Sequence, residues 1–220
     1  MSTLPSNNHA NHEPTAQLAH IRLLNASPDT PAVDVFVNET RVAADLAFKS
    51  FTEYMPAEPG VYNIRVTPSG LNSILISLEL AELMPDGIYT LAITGLNADL
   101  NIELIHDMPH NTPADRAAHP VRAFIRFINL SPYDTAFDAF LSNAPVVTAL
   151  EYTEISDYIA LQPGTYPLKL FNSRNNNLVL THPHVQLKAG KYYAAYIVGL
   201  ETGNPPLQVL LPLEGATYLP

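Results

Sequence analysis

One duplication constrains what this chain can fold into more than any other feature. The segment IRLLNASPDTPAVDVFVN begins at Ile21, and IRFINLSPYDTAFDAFLS begins 104 residues later at Ile125. Over residues 21–66 the ungapped comparison gives 14 identities, against about 3 expected from ordinary composition. The identical pairs are Ile21/Ile125, Arg22/Arg126, Asn25/Asn129, Ser27/Ser131, Pro28/Pro132, Ala32/Ala136, Asp34/Asp138, Phe36/Phe140, Val42/Val146, Leu46/Leu150, Tyr54/Tyr158, Pro59/Pro163, Gly60/Gly164 and Tyr62/Tyr166. Because the period is as long as a whole domain, the chain is predicted to hold two copies of one complete fold.

The parallel between the copies continues downstream and sets the domain boundaries. DGIYTLAITGL (86–96) matches AGKYYAAYIVGL (189–200) with one inserted residue. Between the copies, HNTPADRAAHP (110–120) has two prolines and little apolar content, which is typical of a linker. The linker is short, so we expect the two domains to touch. The predicted organisation is a disordered N-terminal tail (1–17), a first domain (18–112), a linker (113–120) and a second domain (121–220).

Each copy has the pattern of an all-β domain. Turn signals recur at the spacing typical of a sandwich or a barrel, which predicts about seven strands in each copy. Val33, Val35 and Val37 alternate with Asp34 and Phe36, the period of a half-buried strand. No long stretch has a helical period. A single merged barrel is disfavoured because the linker separates the two copies.

Charge and composition exclude several classes of protein. The net charge is −10, and residues 18–112 carry 12 acidic and 4 basic side chains, which disfavours binding to nucleic acid or to anionic membranes. There is no cysteine, so disulfides and thiolate catalysis are excluded. The first residues lack a basic segment followed by an apolar one, so no signal peptide is predicted. No apolar run is long enough for a transmembrane helix, and no membrane insertion is expected.

The densest repeated motif reads Asn-x-Ser-Pro. Its candidate contact residues are Asn25, Ser27 and Asp29 in the first copy and Asn129, Ser131 and Tyr133 in the second. Asn and Ser side chains cap their own backbone in turns and Pro fixes φ, so we favour a tight structural loop. The alternative is a ligand-binding loop at one end of the sandwich. Since Tyr133 replaces Asp29, the two loops would recognise a shared ligand differently.

Two further pairs occupy equivalent positions on a predicted strand. Asp34 and Asp138 would bond loop amides, anchor a strand register or bind a cation, and we favour a structural role. One carboxylate per domain supplies too few oxygens for calcium and lacks the partner that paired-carboxylate catalysis needs. Phe36 and Phe140 share the face of these aspartates and either pack under a loop or form an exposed contact patch.

Histidines suggest a metal site, but their spacing does not support one. His182 and His184 flank Pro183, and His106 and His110 are four residues apart on a strand end and a loop. These positions do not repeat between the copies, and a zinc site needs three or four convergent ligands. The sequence also lacks GxSxG, HExxH, P-loop and GxGxxG motifs. We therefore predict no metal, no cofactor and no enzymatic activity.

The segment NASPDTPAVDVFVN (25–38) resembles the signature of a bacterial family known as domain of unknown function 4397. Its members read close to ASPDAPAVDVYVDG, followed by a PAG-Y turn and a late AGKxYT strand. The corresponding segments here are AEPGVY (57–62) and DGIYTLAITG (86–95), with QPGTY (162–166) and AGKYYAAYIVG (189–199) in the second copy. The resemblance implies immunoglobulin-like or transthyretin-like sandwiches, often in tandem and usually in exported or cell-surface proteins. It implies no catalytic residues.

Three functions remain open at this level. The first is a structural or adhesive module at the cell envelope or in a spore coat, a location that needs no signal peptide. The second is a soluble module that binds a protein or a carbohydrate through the loops at one end of each sandwich. The third, least favoured, is an unrecognised hydrolase. A protein or a cell-envelope polymer is the expected partner, and self-association through open sheet edges is possible.

Overall fold

A computed structural model describes residues 17–107, 121–133, 135–217 and 219, and in this part the chain is all-β. Four sheets of four strands each are present, two in each repeat. Except for residue 17, the predicted disordered tail (1–17) lies outside the described residues, as does the predicted linker (113–120). Within the described ranges no helix is long and apolar enough to cross a membrane.

The first repeat is a sandwich of an outer and an inner sheet. Its strands are β1 (Ala19–Asn25), β2 (Val33–Val37), β3 (Thr40–Leu46), β4 (Met55–Ala57), β5 (Gly60–Pro68), β6 (Ile76–Leu83), β7 (Ile88–Leu96) and β8 (Asp99–His106). The outer sheet has the order β3-β2-β5-β6, and the inner sheet has the order β4-β1-β7-β8.

The second repeat has the same architecture. Its strands are β9 (Ala123–Asn129), β10 (Phe137–Leu141), β11 (Ala144–Leu150), β12 (Ile159–Leu161), β13 (Gly164–Asn172), β14 (Leu178–Leu187), β15 (Tyr192–Val198) and β16 (Gln208–Leu210). The outer sheet is β11-β10-β13-β14 and the inner sheet is β12-β9-β15-β16. A 3₁₀ turn follows at Gly215–Thr217. The described residues thus give eight strands per repeat, where turn spacing predicted about seven. The strands β4, β12 and β16 are hard to predict because each has three residues, too few to show an alternating pattern.

The strand β1 has buried apolar side chains on both of its faces. It pairs with β7 in parallel and with β4 antiparallel. Ile21 and Leu23 face the core between the two sheets of the first repeat. Leu24 and Ala26 belong to a second apolar cluster that also contains residues of the other repeat. A strand covered on both sides keeps apolar side chains on both.

That second cluster is a core between the repeats. Its buried members are Leu24, Ala26, Ala92, Ile105, Ile128, Leu130, Ala194, Tyr196 and Val198, with Phe48, Phe51 and Leu210 packed against them. They come from the two inner sheets and the loops beside them. The inner sheets therefore pack face to face, and the four sheets lie in one stack. The two domains touch, as the short linker suggested.

The contacts across this interface show how the repeats are oriented. Near the loops that follow β1 and β9, the Thr94 hydroxyl donates to the Leu130 carbonyl over 3.1 Å, and Lys49 Nζ donates to Gln208 Oε1 over 2.8 Å. Towards the other end, Arg22 Nη1 donates to the Leu213 carbonyl over 3.1 Å. Both Asn-x-Ser-Pro loops therefore lie at the same end. We call this the loop end, which carries the loops after β1, β3, β5 and β7 and after β9, β11, β13 and β15, and we call the opposite end the base.

Several edge strands carry residues that disfavour pairing with another sheet. Pro56 lies in β4, Pro145 in β11 and Pro183 in β14, each at a sheet edge. Proline lacks the amide proton that a new ladder would need, and natural edges use it for this purpose. Self-association through edge strands stays a prediction, and it falls mainly on edges without proline, such as β3 and β6.

Replacing Leu24 by alanine tests the packing of the inner sheets. Leu24 is fully buried between the repeats, so the variant is expected to lower the free energy of unfolding by about 2–5 kcal/mol. Urea unfolding followed by circular dichroism measures the change. The control is Leu178→Ala, because Leu178 is 53% exposed and its loss is expected to cost about 0.5 kcal/mol or less. Equal effects of the two substitutions would show that the inner sheets are not packed together in solution.

Candidate functional site

The Asn-x-Ser-Pro loop of the first repeat is held by its own side chains. Asn25 Nδ2 donates to the Leu46 carbonyl over 3.0 Å, and Asn25 Oδ1 accepts the Ser27 amide over 3.1 Å. The Ser27 hydroxyl donates to the Gly95 carbonyl over 2.8 Å. Gly95 has φ +85°, and a Cβ there would lie 2.3 Å from the Asp99 carbonyl oxygen. Only glycine fits this close turn.

The second repeat builds the same bonds from equivalent residues. Asn129 Nδ2 donates to the Leu150 carbonyl over 3.1 Å, Asn129 Oδ1 accepts the Ser131 amide over 3.0 Å, and the Ser131 hydroxyl donates to the Gly199 carbonyl over 2.7 Å. All four Asn and Ser side chains of the two motifs are buried. Of the predicted motif contacts, only Asp29 and Tyr133 are exposed.

The paired aspartates tie β2 and β10 to neighbouring segments. Asp34 Oδ1 accepts the Asp45 amide over 2.9 Å, and Asp34 Oδ2 accepts the Gly70 amide over 3.4 Å. The Asp45 amide is the main cause that lowers the pKa of Asp34. Asp138 Oδ1 accepts the Ala149 amide and the Ser173 hydroxyl, each over 2.7 Å.

The paired phenylalanines are half-buried on the outer sheets, each beside a neighbour on the next strand. The Arg65 guanidinium lies 4.0 Å from the centre of the Phe36 ring. The Phe140 ring packs edge-to-face on Phe171 at 5.2 Å. The two residues lie on opposite outer sheets of the stack, so they do not form one shared patch.

A polar cleft of about 440 Å³ opens at the loop end of the second repeat. The residues that line it come from three loops and adjoining strand ends: Thr135, Ala136, Ala149, Glu151, Tyr152, Ser173 and Arg174. Glu151 and Arg174 are exposed and Tyr152 is half-buried. The cleft thus combines an acid, a guanidinium, hydroxyls and an aromatic ring.

Neighbouring residues hold the walls of the cleft in place. Glu201 accepts the Thr135 hydroxyl and the Asn172 amide, each over 2.9 Å. The Tyr152 hydroxyl approaches Thr94 Oγ1 of the first repeat at 3.4 Å. Burial raises the pKa of Tyr152, so its hydroxyl keeps its proton at neutral pH. One wall of the cleft is therefore braced by the other domain.

The first repeat has different side chains at most of the equivalent positions. Ser173 and Ala136 have identical counterparts in Ser69 and Ala32. The positions of Glu151, Tyr152 and Arg174 are taken by Ala47, Phe48 and Gly70, and those of Thr135 and Ala149 by Pro31 and Asp45. The polar set of the cleft thus belongs to the second repeat.

Tyr133 lies two residues before Thr135, in the loop that forms one wall of the cleft. Its side chain is 57% exposed and its backbone has φ +90°. A positive φ is rare for a bulky residue, and such strain often occurs at functional loops. Two of the predicted contact residues thus lie beside the cleft: Asp138, which accepts the Ser173 hydroxyl, and the exposed Tyr133.

A buried ionic cluster joins the two repeats nearer the base. It contains Arg22 and Arg126 with Asp107 and Glu214, all buried. The Arg126 guanidinium lies 2.6 Å from Glu214 and 3.6 Å from Asp107 of the other repeat. Arg22 lies 3.7 Å from Asp107. Removing one partner would leave an uncompensated buried charge, so this cluster demands one relative position of the repeats.

The cluster has approximate two-fold symmetry, which local substitutions break. The Asp107 amide donates to the Ile88 carbonyl and the Glu214 amide to the Tyr192 carbonyl, so the two acids hold equivalent places. Arg22 Nε reaches Asp107 through the Thr90 hydroxyl, over 2.9 Å and then 3.1 Å. The counterpart of Thr90 is an alanine, and there the longer Glu214 meets Arg126 Nε directly over 2.7 Å.

Tyrosines complete the cluster. The Tyr54 hydroxyl donates to Asp107 Oδ2 and accepts the Gly215 amide of the other repeat over 3.1 Å. Arg22 Nη2 donates to the Tyr196 hydroxyl over 3.4 Å. Burial is the main cause that raises the pKa of both Tyr54 and Tyr196, so both stay protonated.

Burial also raises the pKa of the Glu214 carboxyl to about 7, although Arg126 opposes the shift. Glu214 Oε2 is buried, and among the described residues it has no hydrogen-bond partner. An unsatisfied oxygen of this kind penalises the charged form. The pKa of Glu214 therefore lies near neutral pH.

The histidines are dispersed. His182 and His184 lie on β14, His106 ends β8, and His110 lies outside the described residues. Across the described part of the chain, no three His, Cys, Asp or Glu side chains group as metal ligands would.

The residues of the cleft and of the ionic cluster were not singled out from sequence. Arg22 and Arg126 had a signal, since a charged residue recurs at the same position of two strands that are rich in apolar residues. The ungapped comparison does not align the two acids, because Asp107 and Glu214 are 107 positions apart instead of 104. Most residues that line the cleft differ between the two copies, so the comparison of the copies does not mark them.

The resemblance drawn from the Asn-x-Ser-Pro segments is confirmed. A family model described as "Domain of unknown function (DUF4397)" matches residues 19–121 and again residues 123–216. The chain belongs to this family. The two adjacent matches make it a tandem pair of DUF4397 domains. No curated protein sequence matches this chain.

Three solved structures are distantly similar to this pair of DUF4397 domains. The carbohydrate-binding module CBMbc (family CBM26) of Eubacterium rectale Amy13K, in complex with maltoheptaose, is 11% identical over 88% of this chain and 96% of that one, with a TM-score of 0.29. The TIE protein of Bacillus anthracis is 12% identical over 84% and 34% of the two chains, at 0.27. A candidate cell adhesion protein of Bacteroides fragilis is 8% identical over 90% and 97%, at 0.22. Likeness at this level carries no argument about function.

Removing one cation from the buried cluster should destabilise the protein strongly. Arg126→Met leaves Asp107 and Glu214 with one arginine, and the expected loss is about 3–5 kcal/mol of unfolding free energy. Denaturant unfolding measures it. The control is Arg41→Met, because Arg41 pairs with Asp34 at 3.3 Å but its side chain is 56% exposed, and exposed pairs contribute about 1 kcal/mol or less. A loss in Arg126→Met no larger than in the control would contradict the buried geometry.

The Glu214 carboxyl should make stability depend on pH in a defined direction. Its folded pKa, about 7, exceeds its ordinary value of 4.5, so the folded state binds the proton more tightly than the unfolded chain. This contribution is complete below the ordinary pKa and is lost as pH rises through about 7. The free energy of unfolding of the wild type, minus that of the Glu214→Gln variant, should therefore decrease as the pH rises from about 5 to about 8. The same difference for the exposed Glu53→Gln serves as the surface control. A Glu214 difference that is flat, or that rises with pH, would contradict the shift.

Proposed function

We propose that this protein is a non-catalytic binding module with a structural or adhesive role at the cell envelope or spore surface. It holds its partner at the loop end, in the cleft of the second repeat. The observation that carries the proposal is the cleft itself, where exposed Glu151 and Arg174 and half-buried Tyr152 replace Ala47, Gly70 and Phe48 of the first repeat. The envelope location is supported by the kinds of protein in which this family is usually found.

The arrangement of the hydroxyls supports binding over catalysis. The Thr135 hydroxyl donates to Glu201 and the Ser173 hydroxyl donates to Asp138. Both carboxylates also hold backbone or side-chain amides of the surrounding loops. The hydroxyls therefore stabilise the wall of the cleft. No histidine is among the described residues that line the cleft. The two carboxylates are themselves engaged by these amides, which supports a structural role for the hydroxyl–carboxylate pairs.

A rigid base supports a binding face with preset geometry. The inner sheets share one core, and the buried cluster fixes the repeats against each other. Preorganised loops lose less entropy when a ligand binds, so affinity rises without additional contacts. A single freely moving domain would not give Tyr152 its contact with Thr94.

A sedimentation assay with purified envelopes and spores of the native organism tests the proposal. The full chain should pellet with one of these fractions, and Glu151→Ala/Arg174→Ala should bind about tenfold more weakly, since removing central polar contacts of an interface commonly costs this much. Both side chains are exposed, so the thermal midpoint should not change.

Met84→Ala is the matched control. Met84 is 56% exposed and lies in the turn before β7, at the base, so its loss should leave binding intact. If the cleft variant binds as well as the wild type, the cleft is not the contact. If the wild type binds neither fraction but captures a soluble protein, the envelope role is overturned in favour of a soluble module.

A further inference from the structure

We infer that the ligand of the cleft is a neutral carbohydrate, an inference that rests on the proposed binding function. It follows from which hydrogen-bond donors and acceptors the cleft leaves available, from the charges around it and from its aromatic surfaces. The residues that would contact the sugar line the cleft or lie on the loop beside it.

Each hydroxyl in the cleft already donates its proton to another residue, and the lone pairs of its oxygen can still accept hydrogen bonds. Ser173 donates to Asp138 over 2.7 Å, Thr135 donates to Glu201 over 2.9 Å, and the Tyr152 hydroxyl is directed at Thr94. Each oxygen can still accept. Glu151 adds acceptors, whereas Arg174 adds only donors. A ligand that fits must therefore both donate and accept, which is what each hydroxyl of a sugar does.

The charges around the cleft disfavour an ionic ligand. Glu151 lines it, and Glu201 and Asp138 bond directly to lining hydroxyls. A phosphate or an acidic peptide would meet this set of carboxylates with Arg174 as the single cation among the described lining residues. Asp138 and Glu201 are engaged by loop amides and hydroxyls, so the free charges of the lining are Glu151 and Arg174, and a basic ligand would meet Arg174. Like charges placed together at an interface are costly, so a neutral polar ligand is favoured.

One aromatic ring lines the cleft, and a second is exposed on an adjoining loop. The Tyr152 ring lines the cleft beside Ala136 and Ala149. Tyr133 is 57% exposed on the loop that leads into Thr135. A sugar ring has one face of C–H groups, and tyrosine combines an apolar face with a polar end that suits such a ligand. The cleft volume, about 440 Å³, lies within the range of small-molecule pockets and has room for a short sugar segment.

Binding of soluble oligosaccharides to the full chain tests the inference. The neutral probes are glucose oligomers with α-1,4 or β-1,4 linkage and β-1,4 N-acetylglucosamine oligomers, and the acidic comparator is oligogalacturonate. Isothermal titration calorimetry should show binding of at least one neutral probe and no binding of the comparator. Tyr133→Ala and Arg174→Ala should each weaken that binding about tenfold. Thermal midpoints establish that each variant is folded.

Leu71→Ala is the matched control. Leu71 is 59% exposed in the loop between β5 and β6, at the loop end of the first repeat, so its removal should leave sugar binding unchanged. Tyr152→Phe separates the ring from the hydroxyl: it should keep part of the affinity, whereas Tyr152→Ala should lose it.

The failures of the two proposals are distinguishable. If no neutral sugar binds while the cleft variants still lose attachment to envelopes or spores, the carbohydrate class is overturned and the binding function stands, with a protein as ligand. If only oligogalacturonate binds, the charge argument is wrong. If sugars bind equally to wild type and cleft variants, the site lies elsewhere.

Discussion

The pairing of two buried arginines with two buried acids is the constraint on which the rest of this structure depends. Arg22, Arg126, Asp107 and Glu214 lie between the inner sheets and are almost fully withdrawn from water. Charges in such a place are tolerated only when each faces an opposite partner at short range. Apolar packing alone would let two flat sheets slide or rotate against each other. The ionic cluster favours one arrangement, in which Asp107 of the first repeat faces Arg126 of the second at 3.6 Å.

This fixed arrangement brings both sets of loops to one end of the molecule. The Thr94 hydroxyl bonds to Leu130, directly between Asn129 and Ser131 of the second motif. The same Thr94 oxygen lies 3.4 Å from the Tyr152 hydroxyl in the cleft. A side chain of the first repeat therefore supports both the second motif and the wall of the candidate site. The interface is thus part of the site as well as of the fold.

The sequence predicted the duplicated all-β fold because that information is local. Val33, Val35 and Val37 recur with the period of a strand, and Asn25, Ser27 and Pro28 are residue types that favour a turn. The ionic cluster could not be predicted in this way, since it depends on which face of each repeat packs against the other repeat. Nothing near Arg126 in sequence indicates a partner at Asp107 of the other repeat, and the acids are displaced from the repeat register by loops of unequal length. The cleft could not be predicted from the repeat. Residues that are identical in both copies mark the shared fold, whereas Arg174 and Glu151 lie at positions where the two copies differ.

The broken symmetry shows what duplication within one chain permits. In a dimer of identical chains every substitution appears on both sides, and a cleft on one side is necessarily a cleft on the other. Here Thr90 with Asp107 on one side and an alanine with the longer Glu214 on the other give the same charge pairing by different means. Only one repeat carries Glu151, Tyr152 and Arg174 around a cleft. The shared residues hold the fold in both halves, and this left the loop end of the second half free to acquire its own polar surface.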